Sequence, residues 1–587
     1  MIKKINIFLV LLLLLISVGA VSAADDGNAT DIVCSEAIQD TVEVSLDEDI
    51  SYCCEDSSDV VAIDEDNSMI SSSEHTVTED NYAQYFSSVD GKLVSSKVNS
   101  GDTIKLDGSF SNKNFIFNMP VKIIGTSTNK MINSMITLSA DASGSSIANL
   151  NIFNTKDQTY GIFINSANNC SVSYCNFNNT GRSSYCICVA NGAAYNNVTD
   201  NNLKAYGITY GHGSFTRSTP PLLLSGSHYN YVANNHVEAD DANGIYLSGY
   251  SGGPLNGGDS NYNVIFNNTV HYNVLPTSWA YGIQAMGSYN VIDNNTVIGG
   301  YRGVSTAGSG NVITDNMIIN VTGADYNHPG VESGGEYAIV ASYNSVVANN
   351  TVIGAKIIST GAGITAIDNS IVENNWVDVR LKGRGIVGGG SNVIIRNNVI
   401  FTESGSGVYE KDEGSGLLVE NNNITSDSGV GILIEKLSSK RMPKDVTIVG
   451  NTISTNNKYA IDAAGVQADT SVIEDNIIES GKLINSPAGV IDTSKPTYIY
   501  KGKTITITPE NIRTYINDNG GLTSEISDND ILDFKGTFSN EVIYVTKAVK
   551  ITGKNPIFYN STFKVTCGNV LIENLTIINN EAERVNA

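Results

Sequence analysis

The sequence predicts an all-β fold, a right-handed single-stranded parallel β-helix with three strands per coil, and three observations carry that prediction. One phrase recurs eleven times between Val198 and Ile478: an aliphatic residue, two variable positions, Asn, one variable position and another aliphatic. Its Asn residues lie 34, 33, 27, 21, 34, 25, 23, 24, 29 and 25 positions apart, a floor near 21 with irregular surplus, as in a solenoid whose loops vary. A third strand follows a Gly or Ala once per coil, at Gly244-Ile245, Gly282-Ile283, Gly303-Val304, Ala338-Ile339, Gly363-Ile364, Gly385-Ile386 and Gly431-Ile432.

Each phrase reads as strand, tight corner, strand, because aliphatic β-formers flank a polar turn. Asn tolerates the left-handed backbone of a sharp corner. Its amide can also bond the equivalent Asn one coil away, at about 4.8 Å. The ladder should therefore run through Asn201, Asn235, Asn268, Asn295, Asn316, Asn350, Asn375, Asn398, Asn422, Asn451 and Asn476. About twelve coils at this spacing give a rod of about 55–60 Å. The right hand follows from the crossover preference of parallel strands. A leucine-rich horseshoe would need frequent Leu and a helical half-repeat, and neither occurs.

Residues 1–23 read as a secretory signal peptide, with Lys3 and Lys4, an apolar run from Ile5 to Val18 and Val21-Ser22-Ala23 as cleavage site. Residues 24–78 read as an acidic disordered spacer. Ala24 to Asp80 holds 18 acidic residues and no Lys or Arg, most of the net charge of −25. Residues 79–150 read as an N-terminal cap and the first coils. A short helix from Thr78 to Ser88 opens that cap, with Tyr82, Tyr85 and Phe86 on one face. A cap is needed because an open coil exposes core and strand edges.

The main β-helix should occupy 151–486, with a linker at 487–507. The chain then starts over. Gly108-Ser109-Phe110-Ser111-Asn112 reappears as Gly536-Thr537-Phe538-Ser539-Asn540, and Val121-Lys122-Ile123-Ile124-Gly125 as Val549-Lys550-Ile551-Thr552-Gly553. Residues 508–587 thus read as the start of a second β-helix in a chain cut short. No second apolar run is long enough to span a bilayer.

A charged fraction of 16% with 55 Gly and 28 Tyr suits a polar-surfaced, exported β protein. A basic footprint for nucleic acid is missing. The cysteines are Cys34, Cys53, Cys54, Cys170, Cys175, Cys186, Cys188 and Cys567, in no zinc-site spacing. Cys170, Cys175, Cys186 and Cys188 fall in adjacent coils, as core thiols or with one disulfide. No cofactor or metal motif is present. Eleven Asn-x-Ser/Thr sites occur, several of them, such as Asn294-Asn295-Thr296, by-products of the corner phrase.

The signal peptide, acidic spacer, Gly101-Asp102-Thr103-Ile104 entry, Val121-Lys122-Ile123-Ile124-Gly125 segment and Asn-rich coils together resemble the adhesin-like surface proteins of methanogenic archaea. That resemblance covers nearly the whole chain. It implies right-handed β-helix repeats of the pectate-lyase type, a secreted or cell-surface location and recognition of glycans or of host or syntrophic partner cells. Its motifs are structural, so they specify fold better than chemistry.

Surplus loop length flanks the third strand, as Tyr210 to Tyr229 and Gly249 to Tyr262 after it, and Tyr272 to Tyr281 and Val321 to Tyr337 before it. The loops could wall a groove whose floor is that face. Alternation then points Tyr246, Gln284 and Ser305 outward as the floor. His212, His271 and His328 lie in the predicted loops with His228, and Trp279 precedes Ile283 closely enough to lean over the floor. Aromatic faces and amides of this kind stack on and hydrogen-bond a polysaccharide. The rival reading is a secreted polysaccharide lyase or glycoside hydrolase, and a third is a structural cell-envelope spacer. Gly211-His212-Gly213 resembles a motif of β-helical polygalacturonases. Here Asp240-Asp241 follows it rather than precedes it, and the family's Asn-Thr-Asp and Arg-Ile-Lys triplets are absent. No catalytic residue is assigned, and binding is favoured over turnover.

Overall fold

Short strands of alternating burial build every coil, as in Val291–Asp293, Thr296–Ile298 and Arg302–Thr306, with one side chain in two turned inward. The computed structural model describes residues 72–578, apart from 157–158, 182–183, 206–219, 241, 250–254, 274–279, 323–334, 412, 439, 480–481 and 491–496. The fold is the expected right-handed parallel β-helix. Sixteen parallel strands from Glu74–Val77 to Val472–Glu474 form its first face. Thirty more divide between the second and third faces, with Thr351–Ile367 running through both. Among the described residues this first face stacks sixteen strands, against about twelve coils expected, over about 70–75 Å. The signal peptide and nearly all of the acidic spacer lie outside the described residues. Glu74–Val77, assigned above to that spacer, is instead the first strand, and it pairs in register with Thr103–Leu106.

One aliphatic core fills the prism from Val77 to Ile478. The position that starts the third strand is Gly or Ala for a steric reason. A Cβ on Gly282 would sit 2.9 Å from the Gly303 carbonyl oxygen and 2.3 Å from a Val297 methyl. At the corner, each ladder Asn is buried and takes the place foreseen for it. Asn295 Oδ1 accepts the Asn268 N–H at 2.9 Å and the Asn268 amide at 3.0 Å, and its own amide donates to Asn316 Oδ1 at 3.0 Å. The left-handed residue is not the ladder Asn, however. It is the residue before it, such as Asn294 (φ 55°), Asp315 (54°) or Asn349 (58°). The left-handed residue turns its side chain to solvent, and the next one then points inward, where amide bonding is worth more.

The opening helix is shorter than expected, a single turn at Tyr82–Tyr85. The backbone leaves helical form at Phe86, because Phe86 drops into the core and packs edge-on against Phe115 and Phe117. Asn81 ties this turn down, with its Oδ1 accepting the Thr78 N–H at 2.7 Å and its amide donating to the Thr76 carbonyl. The same device recurs at Asn511, with the Thr508 N–H and the Thr506 carbonyl, ahead of the turn Ile512–Tyr515. This second copy has its own core, from Ile505 to Phe558. Its strand Thr504–Ile507 falls in the segment read as linker, and so does Thr497–Ile499, which pairs with Ile477–Glu479.

Cys170, Cys175, Cys186 and Cys188 are buried free thiols. Burial pushes Cys175 up to about 12 and raises the other three as well. A thiol that does not ionise does not attack an alkylating agent. Iodoacetamide at pH 8 should therefore leave all four unmodified in the native chain and alkylate them after denaturation, read by peptide mass. A disulfide-linked pair of these peptides, or native alkylation, would contradict the packing.

Candidate functional site on the third face

Strand register brings three predicted residues together. Tyr246 pairs with Gln284, and Gln284 with Ser305, so the three lie side by side on adjacent coils of the third face. All three are half-buried. Asn243 holds Gln284 in place, donating from its amide to Gln284 Oε1 at 2.8 Å, while its own Oδ1 accepts the Tyr281 N–H. His271 is not part of this floor. It ends the second-face strand Thr269–His271, aligned with Glu238 and Ile298. The regular coil runs through His271, and the loop expected from Tyr272 begins only after it. His212, Trp279 and His328 lie outside the described residues. His228 lies at the corner between the third and first faces, where Nδ1 accepts the Asn261 N–H.

The floor is closed at one end by a feature the sequence reading missed. Phe163, Cys188 and Leu223 point outward in the same register as Tyr246, yet all are buried. Leu255, from the loop after the third strand, covers them and forms a second apolar cluster outside the coil. The Asn256 N–H anchors that loop on Asn191 Oδ1 at 2.8 Å. The signal was available in Leu222-Leu223-Leu224, an unbroken apolar run that marks a strand buried on both faces.

Beyond the covered end, charge and aromatic rings meet. The Arg302 guanidinium carbon lies 4.8 Å from the Tyr281 ring centre and 5.5 Å from those of Tyr301 and Tyr337. Arg302 Nε donates to Glu336 Oε2 at 2.8 Å. Burial, then the Glu336 charge, raises the Tyr337 pKa above its usual value against the pull of Arg302 and Arg384. Further along, Arg384 sits 3.9 Å over the Tyr409 ring, whose hydroxyl donates to Glu435 Oε2 at 2.8 Å. Burial and that bond push Tyr409 up to about 12. Both phenols therefore stay protonated at neutral pH, and neither is poised as a base. Among the described residues no group of three or more His, Cys, Asp or Glu could hold a metal ion.

A second aromatic feature stands at the corner between the third and first faces. Tyr195, Tyr229, Tyr262 and Tyr289 occupy one position on four successive coils, with ring centres 5.1, 5.0 and 5.1 Å apart and planes within 7°. Each has a left-handed backbone, with φ of 55–58°. Behind them runs a second buried Asn ladder, in which Asn196 donates to Asn230, Asn230 to Asn263, Asn263 to Asn290 and Asn290 to Asn311. In front, Asn261 Oδ1 accepts the Ser288 N–H and Ser288 Oγ the Ser309 N–H. The corner is thus held on both sides. A left-handed non-glycine costs about 1–2 kcal/mol, and a stacked pair contributes about 0.5–1.5 kcal/mol beyond area burial. At mid-range, four such costs come to about 6 kcal/mol and three such pairs to about 3 kcal/mol. The signal was a Tyr-Asn dipeptide spaced 34, 33 and 27 residues apart, in step with the main ladder.

Comparison with known proteins agrees with the coil. The family model described as the right handed beta helix region matches residues 221–400 and 351–512. A search of curated proteins returns no match. Among solved structures, PfbA, a surface adhesin of Streptococcus pneumoniae, is 15% identical over 58% of this chain and 85% of its own, with a TM-score of 0.38. The A-module of the mannuronan C-5 epimerase AlgE6 of Azotobacter vinelandii is 12% identical over 68% of this chain and 90% of its own, at 0.29. A mannuronic acid specific polysaccharide family 6 lyase from human gut microbiota is 12% identical over 69% and 86%, also at 0.29. None of these likenesses assigns a chemistry to the residues above.

Proposed function

We propose that this protein is an exported, adhesin-like surface rod that binds glycan on its third face and turns nothing over. The observation that carries the reading is the row Tyr246, Gln284 and Ser305, in register on adjacent coils beside the Arg302, Tyr281 and Tyr337 cluster. A half-buried ring, an oriented amide and a hydroxyl are what a sugar chain stacks on and hydrogen-bonds to. Turnover would ask for other groups. An inverting hydrolase needs two carboxyl groups about 6.5–9.5 Å apart, and Glu336, a carboxylate that meets this face, is already paired with Arg302. A lyase needs a base, whereas Tyr337 and Tyr409 are shifted towards the protonated form. Export rests on the leader-like residues 1–23.

The test is to titrate the full chain with a panel of soluble cell-wall and plant polysaccharides, reading affinity and products together. Binding without new reducing ends or unsaturated sugars is expected. Tyr246→Ala should weaken it several-fold, as loss of about 1 kcal/mol of stacking implies. Products abolished by Arg302→Ala or Glu336→Gln would make the protein a polysaccharide lyase or hydrolase instead. No binding to any member of the panel would leave a structural spacer.

A further inference from the structure

We propose that the column Tyr195, Tyr229, Tyr262 and Tyr289 is a second binding strip, one that holds an extended β-1,4-linked polysaccharide along the helix axis. The proposal rests on the glycan-binding reading and adds to it a separate site and a class of chain. In other coils the same left-handed corner position is Asn169, Gly310, Asn344, Asn369, Asn392 or Gly416, residues that tolerate positive φ. Those coils close without a tyrosine, so the fold itself does not require one. Four bulky residues in consecutive disfavoured positions are the kind of local strain that gathers at functional sites.

Pitch then selects the ligand. The ring centres lie 5.0–5.1 Å apart on successive coils, close to the rise per sugar of an extended β-1,4-linked pyranose chain. One ring can therefore meet one sugar over four successive residues. An α-1,4-linked chain coils away from a straight line and cannot keep that register. Chemistry agrees with pitch. Near-parallel rings this far apart overlap only in part, and the four keep 57%, 43%, 42% and 53% of their surface exposed. Each thus offers exposed ring surface and a phenol hydroxyl to a pyranose. The flanking ladders hold the strip rigid, so little conformational freedom is lost on binding. It ends at Gly310, where a Cβ would come within 2.7 Å of the Tyr289 ring.

The experiment uses the full chain and insoluble cellulose, chitin and amylose as probes. The key variant is Tyr229→Asn with Tyr262→Asn, because Asn is what neighbouring coils place at this corner. It should fold like the parent by circular dichroism. The parent should be retained on cellulose or chitin and not on amylose, and the double variant should be retained about tenfold less. Tyr343→Asn, at an exposed tyrosine outside the column, should change nothing. Retention of the double variant equal to the parent's, or equal retention on amylose, overturns the strip. So does a parent dimer that the double variant dissolves while binding to cellulose and chitin is untouched. If Tyr246→Ala alone weakens binding of soluble glycan while the double variant keeps every interaction, the strip falls and the third-face reading stands. If the parent binds no polysaccharide, both fall.

Discussion

Asn295→Ala is expected to destabilise the middle of the β-helix by about 3–5 kcal/mol, the sum of several buried hydrogen bonds at about 1 kcal/mol each and an orphaned donor at somewhat more. Asn295 is fully buried. Its two amide hydrogens are shared among three acceptors, Asn316 Oδ1 along the ladder and the Ile265 and Asp293 carbonyls at 2.8 and 2.9 Å. Alanine removes all of these and leaves the Asn268 N–H facing a methyl group. Because each coil touches only its neighbours, the damage should be local. Hydrogen exchange should show protection lost across the coils of Asn268, Asn295 and Asn316 before distant ones. Asn294→Gly, one residue away and exposed, should shift stability by about 0.5 kcal/mol or less, since glycine accepts its φ of 55°. Equal effects of the two substitutions would mean that the ladder is not what closes the corner.

Phe86→Ala should cost about 3–5 kcal/mol as well, the range for emptying an aromatic site in a core. The ring is fully buried and lies 5.0 Å from Phe115, 5.4 Å from Phe117 and 5.2 Å from Tyr82. Removing it unplugs the end of the prism. Exchange protection should fail first at Glu74–Val77 and Thr103–Leu106, and the bared strand edges should promote self-association, visible by light scattering. In the second copy, Ile512 and Ile516 fill the equivalent places, so Ile516→Ala should loosen that core and leave the first intact. A Phe86→Ala chain with unchanged exchange and size would remove the plug from the account.

Most of the fold was legible because one periodic phrase marks two strands and the corner between them. The eleven Asn corners and the Gly-Ile strand starts fall where their spacing puts them. Three things escaped for physical reasons. Glu74–Val77 is polar on its outward side, so its composition continues that of the acidic segment before it. The outer cluster of Phe163, Cys188, Leu223 and Leu255 depends on a loop folding back, which alternation cannot foretell. The second Asn ladder was masked because its corner residue changes identity, from Tyr to Gly to Asn, while only the backbone angle stays constant. Of the candidate site, alternation alone placed Tyr246, Gln284 and Ser305 together. It could not place His271, since loop length does not say where a loop begins. The Arg302 cluster needed the register of Tyr281, Arg302 and Tyr337 across three coils.

The most direct measurement is a crystal structure of the protein soaked with the oligosaccharide of highest affinity from the soluble panel. An intact, unmodified sugar chain is expected, stacked on Tyr246 and hydrogen-bonded by Gln284 and Ser305, with Arg302 still paired to Glu336. A shortened or unsaturated sugar beside Arg302, or a ligand bound beyond Thr351 with the third-face floor bare, would contradict it.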